Sequence, residues 1–289
     1  MKLVTFRSDR GDFAGVLSSD SVIDASAIAG TMPQLLTFIV ERGVAAVDDA
    51  LANAPRLPLS SVRLLAPLPR PAKNIFCVGK NYHEHAKEFA DSGFDSSGKE
   101  ATPSLPIIFS KPATTVIGPD DVIPGYLDPT QSVDYENELA VIIGKPGRGI
   151  RAADAFAHVL GYTVVNDVTS RTLQRDHKQW YLGKGIDGFC PMGPAIVTAD
   201  EIADVTALRL KTFVNDELRQ DAVVNDLIFD IPTLIETISR TMTLETGDII
   251  ATGTPVGVGI GFTPPRFLKT GDRVTVGIDG IGTLHNTVA

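Results

Sequence analysis

The sequence predicts a mainly β protein with some α, of the α+β class, and three observations carry that reading. Short apolar runs with strand-like alternation recur through the second half, and only a few segments carry a helical period. Asn215-Asp216 and Asp279-Gly280 sit between such runs, where these residues supply the positive φ angles of tight hairpin turns.

Taken in order, residues 2–24 alternate apolar and polar around Ser8 to Gly11 and Ser18 to Asp20, as short antiparallel strands do. Leu35, Phe38, Ile39 and Val44 then share one helical face, and an Ala-rich tail to Ala52 continues the helix before Pro55. Pro55, Pro58, Pro67, Pro69 and Pro71 punctuate the next stretch and place a boundary near Ala66 to Lys73. The expected layout is a small N-terminal α+β domain over 1–70 and a second domain over 71–289. Within the second, strands are expected at Ile75 to Val78, Leu139 to Ile143, Tyr162 to Val165, Ala195 to Val197, Leu208 to Val214 and Ile249 to Ala251. Helices are expected at Ala152 to Leu160 and Pro232 to Met242, and a short one begins within the stretch Gly79 to Glu88. Asp91 to Pro103, rich in Ser, Gly, Asp and Lys, reads as a mobile loop.

Composition narrows the function. The 289 residues are 43% hydrophobic and 21% charged, ordinary globular usage. With 26 Lys and Arg against 35 Asp and Glu, the net charge of −9 repels nucleic acid and anionic membrane surfaces. An anionic substrate would need local positive charge from a metal, lysines or helix N-termini. Cys77 and Cys190 form neither a disulfide framework nor a CxxC pair, and no signal-peptide or membrane-spanning run is seen, so a cytoplasmic location is expected.

Asp134-Tyr135-Glu136-Asn137-Glu138 opens an apolar run, and a strand period of two puts Asp134, Glu136 and Glu138 on one face. Adjacent carboxylates repel unless a cation neutralises them, and oxygen ligands select hard ions such as Mg²⁺, Mn²⁺ or Ca²⁺. A solvated strand face is the competing reading and leads on this pair alone. Asp167 ends the run Gly161 to Asn166 as a candidate third ligand, or else a turn or helix cap.

His85 and Glu88 stand three apart where a strand gives way to a helix, a spacing that lets the carboxylate orient the imidazole for proton transfer. The same pair is also common as a surface contact. Lys184 lies among glycines and aromatics, where an ammonium can meet an anion. Thr252-Gly-Thr254 opens a glycine-rich loop whose amides can cradle a carboxylate, without the ending of a nucleotide P-loop.

Taken together, Val78-Gly-Lys-Asn-Tyr with His85 and Glu88, Glu136-x-Glu138, Asp167, Gln179-Trp-x-x-Gly-Lys184, Phe189-Cys-Pro-x-Gly-Pro194 and Thr252-Gly-Thr-Pro-x-Gly-Val-Gly259 resemble the fumarylacetoacetate hydrolase family, over about residues 70 to 289. The resemblance implies a mixed β-sandwich roll, a homodimer, and Mg²⁺ or Mn²⁺ held by Glu136, Glu138 and Asp167, with Ca²⁺ as a substitute. It makes His85 and Glu88 a water-activating dyad on a lid helix, to which the 91–103 loop would belong, and gives Lys184 the developing anion. Lys80, Arg171, Gln174 and Thr254 become substrate contacts.

The implied reaction is cleavage of a carbon-carbon bond in a 2,4-diketo acid, a fumarylpyruvate- or maleylpyruvate-like acylpyruvate, to pyruvate and a carboxylic acid. Oxaloacetate decarboxylation and hydroxymuconate-type tautomerisation share the same enolate and rank behind it, and an inactive metal-stabilised binding protein is the non-enzyme alternative. Departures fall near the substrate: Ser170-Arg171-Thr172 replaces the frequent Ala-Arg-Asp, Lys80 stands where Arg is frequent, and Gly185 where Ser or Thr is often found. Lys cannot reproduce the bidentate grip of Arg on a carboxylate.

Overall fold

The structure, a computed structural model, describes residues 1–96 and 102–289. Part of the loop expected over 91–103 therefore lies outside the described residues, and the helix His83–Asp91 takes up its first residue.

A 12-stranded mixed sheet forms the body. Its central strands, Val159–Asn166, Asn137–Ile143 and Ile249–Ala251, pair antiparallel and are buried almost throughout, which explains their continuous apolar sequences. Ile75–Gly79 pairs parallel to Ile249–Ala251 and antiparallel to Ile107–Lys111 at the sheet's edge. A five-stranded sheet, Glu217–Val223, Arg209–Val214, Arg273–Ile278, Gly282–Val288 and Val122–Ile123, closes over one face. Its inner residues, Leu210, Val214, Val274, Val276 and Leu284, pack with Leu139, Val141 and Val164 in one core. Asn215 and Asp216, at φ 51° and 69°, make the first expected hairpin, and Gly280, at φ 76°, lies in the second.

The chain crosses near residue 70 without a break in packing. Lys2–Ser8 pairs antiparallel to Cys190–Thr198, and Leu3, Leu35 and Leu36 share a core with Ile75, Ala140, Ile142 and Ile249. We propose that 1–70 and 71–289 are domains of chain layout within one folding unit. A chain beginning at residue 71 would bare the Cys190–Thr198 edge and this core, so its isolation as a stable, soluble monomer would overturn the proposal.

Three elements differ from expectation. Ala152–His158 is a 3₁₀ helix that runs directly into strand Val159–Asn166, because the apolar residues Val159 and Leu160 belong to the sheet. The first helix splits into Met32–Arg42 and Val44–Ala50 at Gly43, whose φ of 86° stops the first segment. The strand through the carboxylates is interrupted: Val133–Asp134 pairs with Thr169–Ser170, and Asn137–Ile143 begins only after Tyr135 and Glu136.

Candidate metal centre and active site

That interruption builds the site. In a continuous strand Asp134, Glu136 and Glu138 would share one face. Instead Asp134 turns away to accept the Gly259 and Ile260 amides, at 2.7 and 3.1 Å, and the Arg171 Nε, at 2.9 Å. Glu136 is held in the break by its neighbours across the sheet, its N–H donating to Asn166 Oδ1 at 2.9 Å while its carbonyl accepts the Asp167 N–H at 2.8 Å. Glu136, Glu138 and Asp167 thereby bring three carboxylate oxygens within 4.8 Å of one another, all three residues buried.

Charge decides what such a cluster can hold. Burial alone would raise the Glu136 carboxyl, but Lys184 and Arg171 overcome it and bring the group down to about 2. Lys184 Nζ lies 2.8 Å from Glu136 Oε2 and 2.7 Å from Asp167 Oδ2, and Arg171 Nη1 lies 2.6 Å from Glu136 Oε1. Among the described residues no cation pairs directly with Glu138, and Lys184 acts on it only as a lesser influence. Burial, then Asp167 and Glu136, push its carboxyl well above the ordinary range, and the only hydrogen bond it accepts among the described residues is the Gly253 amide, at 2.9 Å. Asp167 Oδ1 is likewise without an aligned donor, although Lys111 Nζ stands 2.8 Å away. An under-compensated buried carboxylate between two others, all oxygen donors, fits a hard divalent cation. Glu136, Glu138 and Asp167 are the residues that would hold it.

Above this floor, strand Ile75–Gly79 turns through Lys80, at φ 54°, into helix His83–Asp91. The Asn81 side chain locks the turn, donating to the Thr252 and Phe229 carbonyls at 2.7 and 3.0 Å and accepting the Phe229 N–H at 2.8 Å. Glycine is required at position 79 because a Cβ there would sit 2.2 Å from the Trp180 ring. The helix presents His85 to the pocket that Glu136 and Glu138 line. His85 Nδ1 lies 2.9 Å from Glu88 Oε2, and the other Glu88 oxygen accepts the Gly257 N–H at 3.0 Å. A carboxylate that accepts from Nδ1 leaves Nε2 as the basic nitrogen.

The pocket is small and has an aromatic wall of Phe89, Phe109 and Trp180. Lys80, Arg171, Gln174, Lys184 and Thr254 line it too, so the residues singled out in the sequence converge. Lys184 also sits between two of the expected metal ligands and donates to Glu136 and Asp167. Lys80 is paired with Asp95 at 2.9 Å. Arg171 braces Asp134 and Glu136 and donates to Gln174 Oε1 at 3.2 Å, while its Nη2 is buried without a hydrogen-bond partner among the described residues.

Sequence reasoning missed Lys111, whose ammonium reaches Asp167, the Val168 carbonyl at 3.0 Å and the Lys184 carbonyl. The available signal was a lysine closing the apolar run Ile107 to Ser110 before Pro112.

A buried triad of acidic side chains, an opposed His-Glu pair and a small pocket lined by lysine and arginine on a β roll can support metal-assisted chemistry on a small anion. A model of the fumarylacetoacetate hydrolase C-terminal region matches residues 74–289. Oxaloacetate tautomerase YisK of Bacillus subtilis is 52% identical over 231 residues, covering 80% of this chain and 74% of that protein. The human mitochondrial oxaloacetate tautomerase FAHD2A is 43% identical over 299 residues, covering 100% and 91%. Among solved structures, maleylpyruvate hydrolase from Sphingobium sp. SYK-6, in complex with manganese(II) and pyruvate, matches with a TM-score of 0.81 and 36% identity, covering 100% and 99%. The chain belongs to the fumarylacetoacetate hydrolase family.

Proposed function

We propose that the protein is a divalent-metal-dependent tautomerase that interconverts the keto and enol forms of oxaloacetate. The observation that carries this reading is the small pocket in which one His-Glu base faces the carboxylate triad. The similarity to two oxaloacetate tautomerases supports the same choice. The order expected from the sequence, with hydrolysis first, is thereby reversed: a base positioned by a carboxylate can move a proton on carbon as well as activate water.

A bound Mg²⁺ or Mn²⁺ would supply Lewis-acid stabilisation of the charge that develops on the oxo oxygen. The protein's own groups do the rest. His85 Nε2 takes a proton from C3, breaking that C–H bond as the C2–C3 double bond forms, and returns it to the C2 oxygen. No water is consumed and no carbon-carbon bond breaks. Glu88 holds the imidazole in the required tautomer and stabilises its transient charge. The partnerless Arg171 Nη2 is placed to receive a substrate carboxylate, and the aromatic wall keeps water from the enolate.

Hydrolysis of an acylpyruvate is the second reading, favoured by the similarity to the maleylpyruvate hydrolase. One experiment separates the readings: enol decay and pyruvate release are followed for oxaloacetate and a panel of acylpyruvates, with Mn²⁺ and with chelator. We expect accelerated enol–keto exchange that chelator abolishes, without pyruvate. Pyruvate from acylpyruvates at comparable rates would reinstate hydrolysis, and pyruvate from oxaloacetate would make the protein a decarboxylase. A homodimeric assembly and a cytoplasmic location belong to the proposal, with light scattering and fractionation as their checks. No described helix is long and apolar enough to cross a membrane.

A further inference from the structure

Gln220 lies on strand Glu217–Val223 of the five-stranded sheet, buried and outside the pocket lining. Its amide nevertheless ties three parts of the site together. Oε1 accepts the backbone N–H of Asn137, between the two glutamates of the triad, at 3.1 Å, and the Thr212 hydroxyl at 2.8 Å. Nε2 donates to the Pro255 carbonyl at 2.7 Å and to Thr254 Oγ1 at 2.8 Å.

The orientation of this amide is fixed by its partners. A backbone N–H can only donate and a proline carbonyl can only accept, so exchanging the amide oxygen and nitrogen would set donor against donor at Asn137 and acceptor against acceptor at Pro255. Nε2 therefore faces Thr254, and the Thr254 oxygen spends a lone pair on it. No described residue accepts the Thr254 proton, and the residue lines the pocket. The Thr254 proton is left for a partner outside the described side chains.

We infer that Gln220 is a positioning residue that fixes the Thr254 hydroxyl as a hydrogen-bond donor to an anionic oxygen of the substrate. The placement of Thr254 agrees with this. The preceding residue, Gly253, donates its N–H to Glu138, and Thr252 anchors the segment through its hydroxyl to the Leu139 carbonyl at 2.9 Å. Consecutive residues thus serve the sheet, a metal-ligand carboxylate and the substrate. The inference rests on reading the pocket as a site for a small 2-oxo acid.

The test uses oxalate, a small dianion that mimics a planar enolate, titrated calorimetrically into the Mn²⁺-loaded protein. Thr254→Val keeps the shape and adds no charge, and Thr254→Ser keeps the hydroxyl. Gln220→Glu replaces the donor by an acceptor, so the Thr254 proton turns toward residue 220 and away from the pocket. A hydrogen bond to a charged group contributes about 1.5–3 kcal/mol, so T254V and Q220E are each expected to weaken oxalate roughly 10- to 100-fold. T254S should restore most of it, and Mn²⁺ affinity should stay within about twofold. In the T254V background Q220E should cost clearly less than it costs in the wild type, because the Thr254 contact is already gone and only the Pro255 contact remains to be lost.

A full additional loss from Q220E in the T254V protein would assign Gln220 a general structural role and overturn the inference. So would unchanged oxalate affinity in T254V, which folds independently of the fate of Q220E, or failure of the wild type to bind oxalate. Oxalate binding that follows the expected pattern in a protein that does not tautomerise oxaloacetate would leave the inference standing and remove the proposed activity alone.

Discussion

The floor of the site and the helix above it are built on opposite plans. Strand Asn137–Ile143 is buried at every residue, and the carboxylates beside it are fixed by backbone amides and by Lys111, Lys184 and Arg171, all buried. Helix His83–Asp91 buries only His85, Ala86 and Phe89, with His83, Glu84 and Lys87 exposed, and it rests on a small cluster of Trp180, Val258 and Ile260. The difference teaches how the labour is divided. The floor gathers buried carboxylates whose charge a cation would relieve, and its geometry is set by the core. The helix carries the proposed proton-transfer group, His85, on a lightly held element.

The largest expected effect tests that separation. His85→Ala should lower turnover by about 10²- to 10⁴-fold, the range of a positioned general base, while calorimetric Mn²⁺ affinity stays within about twofold. A comparable loss of metal binding would show that helix and floor are one unit. Lys111→Met should do the reverse. It leaves Asp167 buried with one fewer cation, and losing one partner of a buried pair costs about 3–5 kcal/mol, read by urea unfolding in chelator. Saturating Mn²⁺ should recover part of that loss; an equal loss with and without the ion would remove the view that the cation supplies the missing charge.

Glu138 gives the floor a pH signature. Its folded carboxyl lies well above 4.5, chiefly through burial and then through Asp167 and Glu136, so the fold without metal favours the protonated form. The stability this contributes is complete below 4.5 and declines as pH rises through the folded value. A cation requires the anion, so binding expels the proton, and Mn²⁺ affinity should rise with pH over the same window, by up to about tenfold per unit. Calorimetry in buffers of different ionisation enthalpy counts the released proton. Affinity flat from 4.5 upward would exclude Glu138 as a ligand that gives up a proton.

Much of this was legible in the sequence, for reasons that also mark where legibility ended. A period of two correctly joined Glu136 to Glu138, yet it also enrolled Asp134, because one sequence cannot reveal that the strand breaks at Tyr135 and Glu136. The hairpin at Asn215-Asp216 was readable because its turn needs positive φ at both residues. Ala152 to Leu160 is expected as a helix beginning near Asp154, but tertiary pairing claims Val159 and Leu160 for the sheet. Lys111 and Gln220 stayed hidden because each acts across long sequence separation, 56 residues from Asp167 and 83 from Asn137. The only local hint was the apolar run that Lys111 closes, and Gln220 had none.

The smallest effect belongs to the helix and its flanking segment. Trp180 Nε1 donates to Ser96 Oγ at 3.1 Å, while the ring meets Phe89 and Phe109 edge-on, with centroids 5.9 and 5.3 Å apart. Ser96→Ala removes one neutral hydrogen bond, about 0.5–1.5 kcal/mol, and leaves the aromatic contacts in place. If the segment after the helix only helps to close the pocket, KM for oxaloacetate should rise about two- to tenfold, with kcat and Mn²⁺ affinity unchanged. A fall in kcat without a change in KM would instead tie Ser96 to the placement of His85. A weakened metal site would carry the influence down to the floor and end the division between the two regions.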